Sequence, residues 1–373
     1  MARHIAFSGN NAWGMYNFRG KLLRHFVESG FKVSVLAPYD EIYTKKLQEL
    51  GCEVHDMPMN PKSVNPFTDA LLLYRYYKML KSLKPDISIT YTIKPNIYAG
   101  LAARMLKIPY LPITTGLGYV FIQRTIITNV VKFLYRIAFK NAKSVWFLNK
   151  DDVNTFRNEE IVAPEKIEQL PGEGIDLSRF YREEDTEKQS GPFTFLLVGR
   201  MLIDKGVKEY VEAARLLRKK HNDVKFLLLG AVWEDNPAAI HEYQLREWEK
   251  EGCVEYLGHV SDVKPYLAKA DCVVLPSYRE GIPFTLMEGA AMGLPLVATD
   301  VPGCREVVVD GYNGYLCPDK NPVALADAME KVLTLSPDER AEMGCNGRQL
   351  MIDNYDLKRI IEQYDNAINA YLV

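Results

Sequence analysis

An alternation that runs twice constrains this chain more than any other feature. Short apolar runs recur, each followed by a turn or loop and then by a stretch of helical periodicity. The first series reads as strands over His4–Ser8, Phe31–Ala37, Glu53–Met57, Asp86–Tyr91, Tyr110–Ile113 and Ser144–Leu148. Helices are expected over Met15–Glu28, Glu41–Leu50, Asn65–Leu83 and Thr125–Lys140. A second series starts at Phe193, with strands at Phe193–Val198, Val224–Leu229, Val254–Leu257, Cys272–Leu275, Leu296–Ala298 and Tyr315–Cys317. Strands that alternate with helices build doubly wound parallel sheets, and ligands then bind beyond the carboxyl ends of the strands. Between the two series, Leu170–Asp176 breaks the pattern and the polar stretch Arg182–Gly191 follows, as at a domain boundary. The sequence therefore predicts two α/β domains, 1–170 and 171–354. The final helices are Pro337–Asn354 and Leu357–Tyr371, with 355–373 packing back on the first domain.

With 47% hydrophobic and 25% charged residues, the chain has the balance of a soluble globular protein. Its six cysteines show no paired metal spacing, and Cys272 lies inside an apolar run, which suits a reducing compartment. The N-terminus passes straight into a strand, and no apolar run has the length of a membrane span. A cytoplasmic protein is expected. From Met57 to Lys150 there are 14 basic residues against 2 acidic ones, Asp69 and Asp86. Such a localised basic region suits an anionic partner: a membrane surface, a phosphate-bearing substrate or nucleic acid. Lys132, Arg136 and Lys140 recur every fourth position on the Thr125–Lys140 helix, beside apolar Ile126, Ile127, Val130, Val131, Leu134 and Ile137. With Tyr74-Arg75-Tyr76-Tyr77-Lys78 and Lys81, this helix could dock peripherally on an anionic bilayer. No recognised nucleic-acid motif is present, which argues against a nucleic-acid partner.

Ser277–Gly293 carries the most chemistry. An apolar strand leads into a turn with Gly281 and Pro283, and a helix opens at about Phe284. Helix starts leave amides unpaired and favour anions. Glu280 precedes the helix and Glu288 lies a little over one turn into it, so both carboxylates can reach one ligand across the helix start. Carboxylates accept hydrogen bonds from sugar hydroxyls. Gly199–Gly206, after the first strand of the second domain, supplies Arg200 and Lys205. Arginine forks onto two phosphate oxygens and lysine adds a compact charge, so the pair suits a diphosphate.

In the first domain, the turn Gly9–Gly14 lacks the three-glycine dinucleotide fingerprint, which disfavours dehydrogenase chemistry. The loops Thr90–Tyr98 and Thr114–Phe121 should open on the same sheet edge as Gly14.

Gly199-Arg200 through Lys205-Gly206, with Glu280 and Glu288 separated by seven residues, resembles the retaining, nucleotide-sugar-dependent glycosyltransferases of family 4. Pro171–Asp176 is similar to that family's linker, and Pro302–Val308 with Asp310-Gly311 and Asn313-Gly314 to its C-terminal half. Tyr91–Asn96 and Thr115–Tyr119 resemble a narrower branch, which adds a hexose or N-acetylhexosamine to polyprenyl-diphosphate-linked sugars in bacterial surface glycan assembly. The resemblance implies the GT-B fold, two Rossmann-like domains facing across a cleft, with the acceptor on the first and the nucleotide sugar, UDP by branch, on the second.

Carried over by position, Arg200 and Lys205 would hold the donor diphosphate and Glu280 the transferred sugar. Glu288 would hold the ribose, and Gly281, Ile282 and Phe284 would offer amides to phosphate or sugar. The Gly258-His259-Val260 turn would face the base, and Gly14 would admit the donor to the first domain. A family histidine aligns with Ile93, so its role is absent or has moved to Lys94 or Asn96; Thr115 and Gly116 would serve the acceptor or sugar. Retention of configuration is implied, with the leaving phosphate assisting acceptor deprotonation. No cofactor or metal is implied, and the sequence has no Asp-x-Asp motif. Two readings compete: a nucleotide-sugar 2-epimerase of the same architecture, and a non-catalytic nucleotide-binding protein.

Overall fold

The computed structural model describes residues 2–60, 63, 65–117, 121, 126–182, 191–234 and 236–372. Gly118, Tyr119, Val120 and Thr125 of the expectations above, and most of the polar stretch 182–191, lie outside these residues. The chain separates into unit 1, Met1–Glu173 with Lys358–Val373, and unit 2, Gly174–Leu357.

Unit 1 is built on a seven-stranded sheet: β1 (His4–Ser8), β2 (Lys32–Ala37), β3 (Glu53–Asp56), β4 (Ile87–Tyr91), β5 (Tyr110–Thr114), β6 (Val145–Phe147) and β7 (Ile167–Gln169). Every pairing is parallel, in the order β3-β2-β1-β4-β5-β6-β7. β7 has no counterpart in the sequence reading. It is short, and Glu168 and Gln169 give it no apolar signal. The central strands β1, β4 and β5 are buried throughout, as expected of a sheet covered on both faces. Successive side chains therefore serve different cores. Ala6 and Phe147 join Leu72, Tyr76, Tyr135 and Phe156 in one. Phe7 and Trp146 point the other way, against Phe26, Tyr91 and Tyr364.

Helix starts follow capping chemistry. Asn11 accepts from the Gly14 amide, Asp40 from Ile42 and Tyr43, and Asn65 from Phe67, with Pro66 at the first helical position. In the C-terminal helix Leu357–Leu372, Tyr364 takes the Tyr91 hydroxyl proton at 3.0 Å, and Tyr371 sits on Ser144, whose amide donates to its hydroxyl at 2.9 Å.

One helix departs in part from its expected polarity. On Ile126–Phe139, Lys132 is buried in an ion pair with Glu159, and Arg136 donates to the carbonyls of Glu159 and Glu160. Ile127, Val130 and Phe133 face outward instead. Lys132 turns inward because the Glu159–Glu160 end of the neighbouring helix offers acceptors there, while Arg136 reaches that end from the exposed side and Lys140 stays exposed.

Unit 2 holds a six-stranded parallel sheet: β8 (Phe193–Val198), β9 (Val224–Leu229), β10 (Glu255–Tyr256), β11 (Cys272–Leu275), β12 (Leu296–Thr299) and β13 (Gly314–Cys317). Its order is β10-β9-β8-β11-β12-β13. Helix Pro337–Leu350 opens with a Ser336/Glu339 capping box, continues as a π-helical turn over Met351–Tyr355, and Ile175 pairs with Asp356 beyond it.

Candidate active site

Chain order reverses between β8 and β11 in unit 2, and between β1 and β4 in unit 1. In sheets of this kind, ligands bind at such a reversal, beyond the carboxyl ends of the strands. The residues singled out by sequence follow strands at or beside these two points.

In unit 2, the loop after β8 holds Arg200 and ends in a 3-10 turn, Ile203–Lys205. The loop after β11 holds Glu280 and leads into helix Phe284–Ala291. They are laced together: the Tyr278 amide donates to the Asp204 carbonyl at 2.9 Å, the Ser277 hydroxyl to the same oxygen at 3.1 Å, and Thr285 Oγ1 to the Val198 carbonyl at 3.1 Å. Gly206 makes this approach possible. It sits at φ +70°, and a Cβ there would lie 2.0 Å from the Pro276 oxygen. A third loop supports Glu280, whose amide donates to Pro302 at 3.0 Å. A Cβ on Gly303, at φ +83°, would strike the Gly281 and Glu280 oxygens at 2.6 and 2.7 Å.

This scaffold brings Lys205 and Glu280 together as a largely buried ion pair, Nζ to Oε1. One of the three ammonium protons is thereby used, which leaves two donors for a ligand. Arg200 is exposed, and its guanidinium lies over the Trp233 ring. Helix Phe284–Ala291 has no side-chain cap at its start, where Gly281 and Phe284 are half-buried and Ile282 is buried. Glu288 is half-buried, and burial raises its carboxyl to about 7. Arg179 opposes this shift and Asp262, two residues beyond Val260, adds to it. Arg179 and Asp262 pair at 2.8 Å. The turn holding Val260 is anchored by Gly258, whose carbonyl accepts from the Gly230 amide at 2.8 Å.

In unit 1 most of the polar groups at the reversal are bonded internally. Gly14 is buried in the first turn of helix Ala12–Glu28, its amide held by Asn11 at 2.5 Å. Lys94 pairs with Asp69 at 2.6 Å, both largely buried. Asn96 is fully buried, accepting from Thr90 at 2.7 Å and donating to the Ile113 carbonyl at 2.9 Å. Ile93 is half-buried, as are Thr115 and Gly116 after β5. Thr92, in the left-handed region at φ +69°, and Thr114 keep buried hydroxyls with no partner among the described residues.

Sequence reasoning missed one assembly here. Arg19 is buried, donates to the Gly14 carbonyl at 3.2 Å, pairs with Glu173, and lies 3.9 Å from the Tyr91 ring centroid. Burial pushes the Glu173 carboxyl up and Arg19 pulls it back. The only sequence sign was a lone arginine on an otherwise apolar helix face. Trp233 and the Arg179–Asp262 pair beside Glu288 were missed as well.

The sequence and fold both have close counterparts. A model of glycosyl transferases group 1 matches residues 180–350, and one described as glycosyl transferase 4-like matches residues 4–149. The chain is 32% identical over 385 residues to the N,N'-diacetylbacillosaminyl-diphospho-undecaprenol alpha-1,3-N-acetylgalactosaminyltransferase of Campylobacter jejuni, covering 98% of this chain and 99% of that one. It is 25% identical over 332 residues to the UDP-Gal:alpha-D-GlcNAc-diphosphoundecaprenol alpha-1,3-galactosyltransferase of Escherichia coli, covering 85% and 82%. Anabaena HepE, solved in complex with UDP and glucose, superposes with a TM-score of 0.81 at 16% identity over 99% of this chain and 100% of that one. The chain belongs to the group 1 and 4-like glycosyltransferases, enzymes of the GT-B fold.

Proposed function

We propose that this enzyme transfers a hexose or N-acetylhexosamine, with retention of configuration, from a UDP-sugar to a polyprenyl-diphosphate-linked saccharide during bacterial surface glycan assembly. The observation that carries the reading is the Lys205–Glu280 pair at the β8/β11 reversal, where a cation for phosphate and an acceptor for sugar hydroxyls stand side by side. The full-length similarity to a transferase named for an undecaprenol-diphosphate-linked sugar supports the acceptor class. The names of the full-length relatives favour transfer over 2-epimerisation or bare nucleotide binding.

The anomeric C–O bond of the donor breaks, its electron pair goes to the diphosphate, and positive charge grows on the sugar ring. Arg200 and Lys205 neutralise the departing diphosphate without a metal ion; a fixed donor at such a position lowers the barrier by about 2.7–4 kcal/mol. The acceptor hydroxyl attacks the face the diphosphate leaves and gives its proton to a phosphate oxygen. Glu280 takes hydrogen bonds from the moving sugar, and Glu288 from the ribose.

The acceptor's lipid calls for a membrane surface. No described helix is long and apolar enough to cross one. Phe67, Leu71 and Tyr74 of helix Pro66–Leu83 and Ile127, Val130 and Phe133 of helix Ile126–Phe139 are exposed, and both helices pack on the segment Pro95–Ala99. Exposed Arg75, Lys78 and Lys81 share the first of these helices. Apolar side chains beside cations suit peripheral docking on the anionic cytoplasmic leaflet.

The test is transfer from UDP-GalNAc, UDP-GlcNAc, UDP-galactose and GDP-mannose to a polyprenyl-diphosphate-linked monosaccharide, with EDTA present. A UDP-sugar product whose anomeric proton coupling matches the donor supports the reading. Inverted coupling removes the retaining mechanism, dependence on added metal removes the assignment to Arg200 and Lys205, and a product from GDP-mannose alone removes the UDP assignment.

A further inference from the structure

The loop after β9 carries an aromatic residue to which the reading above gives no role. Trp233 is 47% exposed, and Arg200 Cζ stands over its ring, 5.1 Å from the centroid. The two loops share one backbone frame. Met201 N donates to the Ala231 carbonyl at 3.0 Å, Ile203 N to Ala238 at 2.8 Å, and Ile240 N to Met201 at 2.9 Å. Arg215, Arg246 and Arg305 of the same unit are each held by a carboxylate. Arg200 has no carboxylate partner among the described residues, and its guanidinium rests on the indole.

A guanidinium stacked by its face keeps its edge donors in plane and available. An arginine without such a support samples many rotamers, and fixing one on ligand binding opposes affinity. We propose that Trp233 is a positioning residue for Arg200: its indole face holds the guanidinium flat, so that the edge meets the donor diphosphate as a two-oxygen fork. This rests on the assignment of Arg200 to the diphosphate. It also explains an exposed tryptophan at the carboxyl edge, since the ring must be open to hold a cation that is itself open to ligand.

The test compares Kd for UDP and for uridine, by titration calorimetry on the full chain, in W233F, W233L, R200K and the R200K/W233L double variant. W233L is expected to weaken UDP binding about two- to fivefold, the equivalent of ~0.5–1 kcal/mol for an exposed cation–π contact. W233F should stay within about twofold of wild type, because a phenyl face still supports the cation. Uridine binding should be unchanged in W233L, and W233L should cost nothing further in the R200K background, as expected of two residues acting as one unit. An equal loss for uridine would make the ring a base platform and overturn the inference. So would a full W233L loss in the R200K background, or wild-type UDP binding in W233L beside a weakened R200K. Wild-type UDP binding in R200K overturns the diphosphate assignment of Arg200 itself, and the inference with it. If W233L lowers the melting temperature, Trp233→Gln repeats the test with a side chain suited to an exposed loop and no aromatic face.

Discussion

The two sheets reverse their strand order in the same way, yet they treat charge at the reversal differently. In unit 1 the cations have settled partners: Arg19 on Glu173, Gly14 and Tyr91, and Lys94 on Asp69. In unit 2 the arginine rests on an indole, and the lysine pairs with Glu280. The two arginines carry the contrast: Arg19 is closed in on a buried carboxylate, while Arg200 is exposed on a ring face. The two lysine pairs are buried to a similar degree, so burial alone does not separate them.

Breaking the buried pair should give the largest stability effect. Arg19→Met leaves the Glu173 carboxyl without its partner in a closed site, to be held unpaired or protonated there, which costs about 3–5 kcal/mol. The double variant Arg19→Met with Glu173→Leu should recover much of that, because no buried charge remains. Urea midpoints read both. If the single variant unfolds at the wild-type midpoint while turnover falls, Arg19 belongs with the ligand-facing cations and the contrast fails.

Lys205→Ala should show the opposite pattern. Turnover falls by about 10²–10³, as for loss of one donor on a developing charge, with a smaller midpoint shift than Arg19→Met because the Lys205–Glu280 pair is less closely buried than Arg19–Glu173. Full activity in Lys205→Ala would remove this lysine from the diphosphate.

How far the sequence could anticipate this contrast depends on the kind of signal. Strands with continuous apolar runs, such as Cys272–Leu275, and helices opened by Asn65-Pro66 or after Pro283 were legible, because local chemistry decides them. That Gly199–Gly206 follows the first strand of unit 2 was legible as well, whereas the close approach that requires Gly206 depends on Pro276 and has no sign in the local sequence. Arg19–Glu173 spans 154 positions, and nothing local marks either member. Lys132 was misread for a related reason: a four-residue spacing of cations gives one face of a helix, and which face meets the core depends on Glu159, a residue from another element. β7 was lost because an edge strand with a polar sequence carries no period of its own.

The outward apolar residues that this misreading concealed give the third effect. Phe133→Ser combined with Phe67→Ser should reduce binding to anionic vesicles by an order of magnitude or more, since burying one such side chain contributes about 1.5–3 kcal/mol. Turnover with a short, soluble acceptor should be unaffected. Unchanged vesicle flotation would detach the exposed stripe from the membrane and leave unit 1 with the acceptor role alone.

The smallest effect probes the one carboxylate at the unit 2 edge whose charge is not settled at neutral pH. Burial raises Glu288 to about 7, against the opposing pull of Arg179. Ribose hydroxyls donate, so they bind its ionised form, and binding draws the proton off. Affinity for a UDP-sugar, whose diphosphate ester does not titrate in this range, should therefore rise from pH 6 to pH 8 by up to about tenfold and level off above. Stability without ligand runs the other way. The folded state holds the proton where the unfolded chain has released it, so stability falls as pH climbs from the ordinary glutamate range through about 7. Glu288→Gln should flatten both curves, bind the donor less well at pH 8, and melt higher there than wild type. Titration calorimetry at pH 6, 7 and 8 decides it. A wild-type slope that survives in Glu288→Gln belongs to another group, and a flat wild-type curve means that the Arg179 guanidinium already keeps Glu288 ionised, making its charge as settled as any in unit 1.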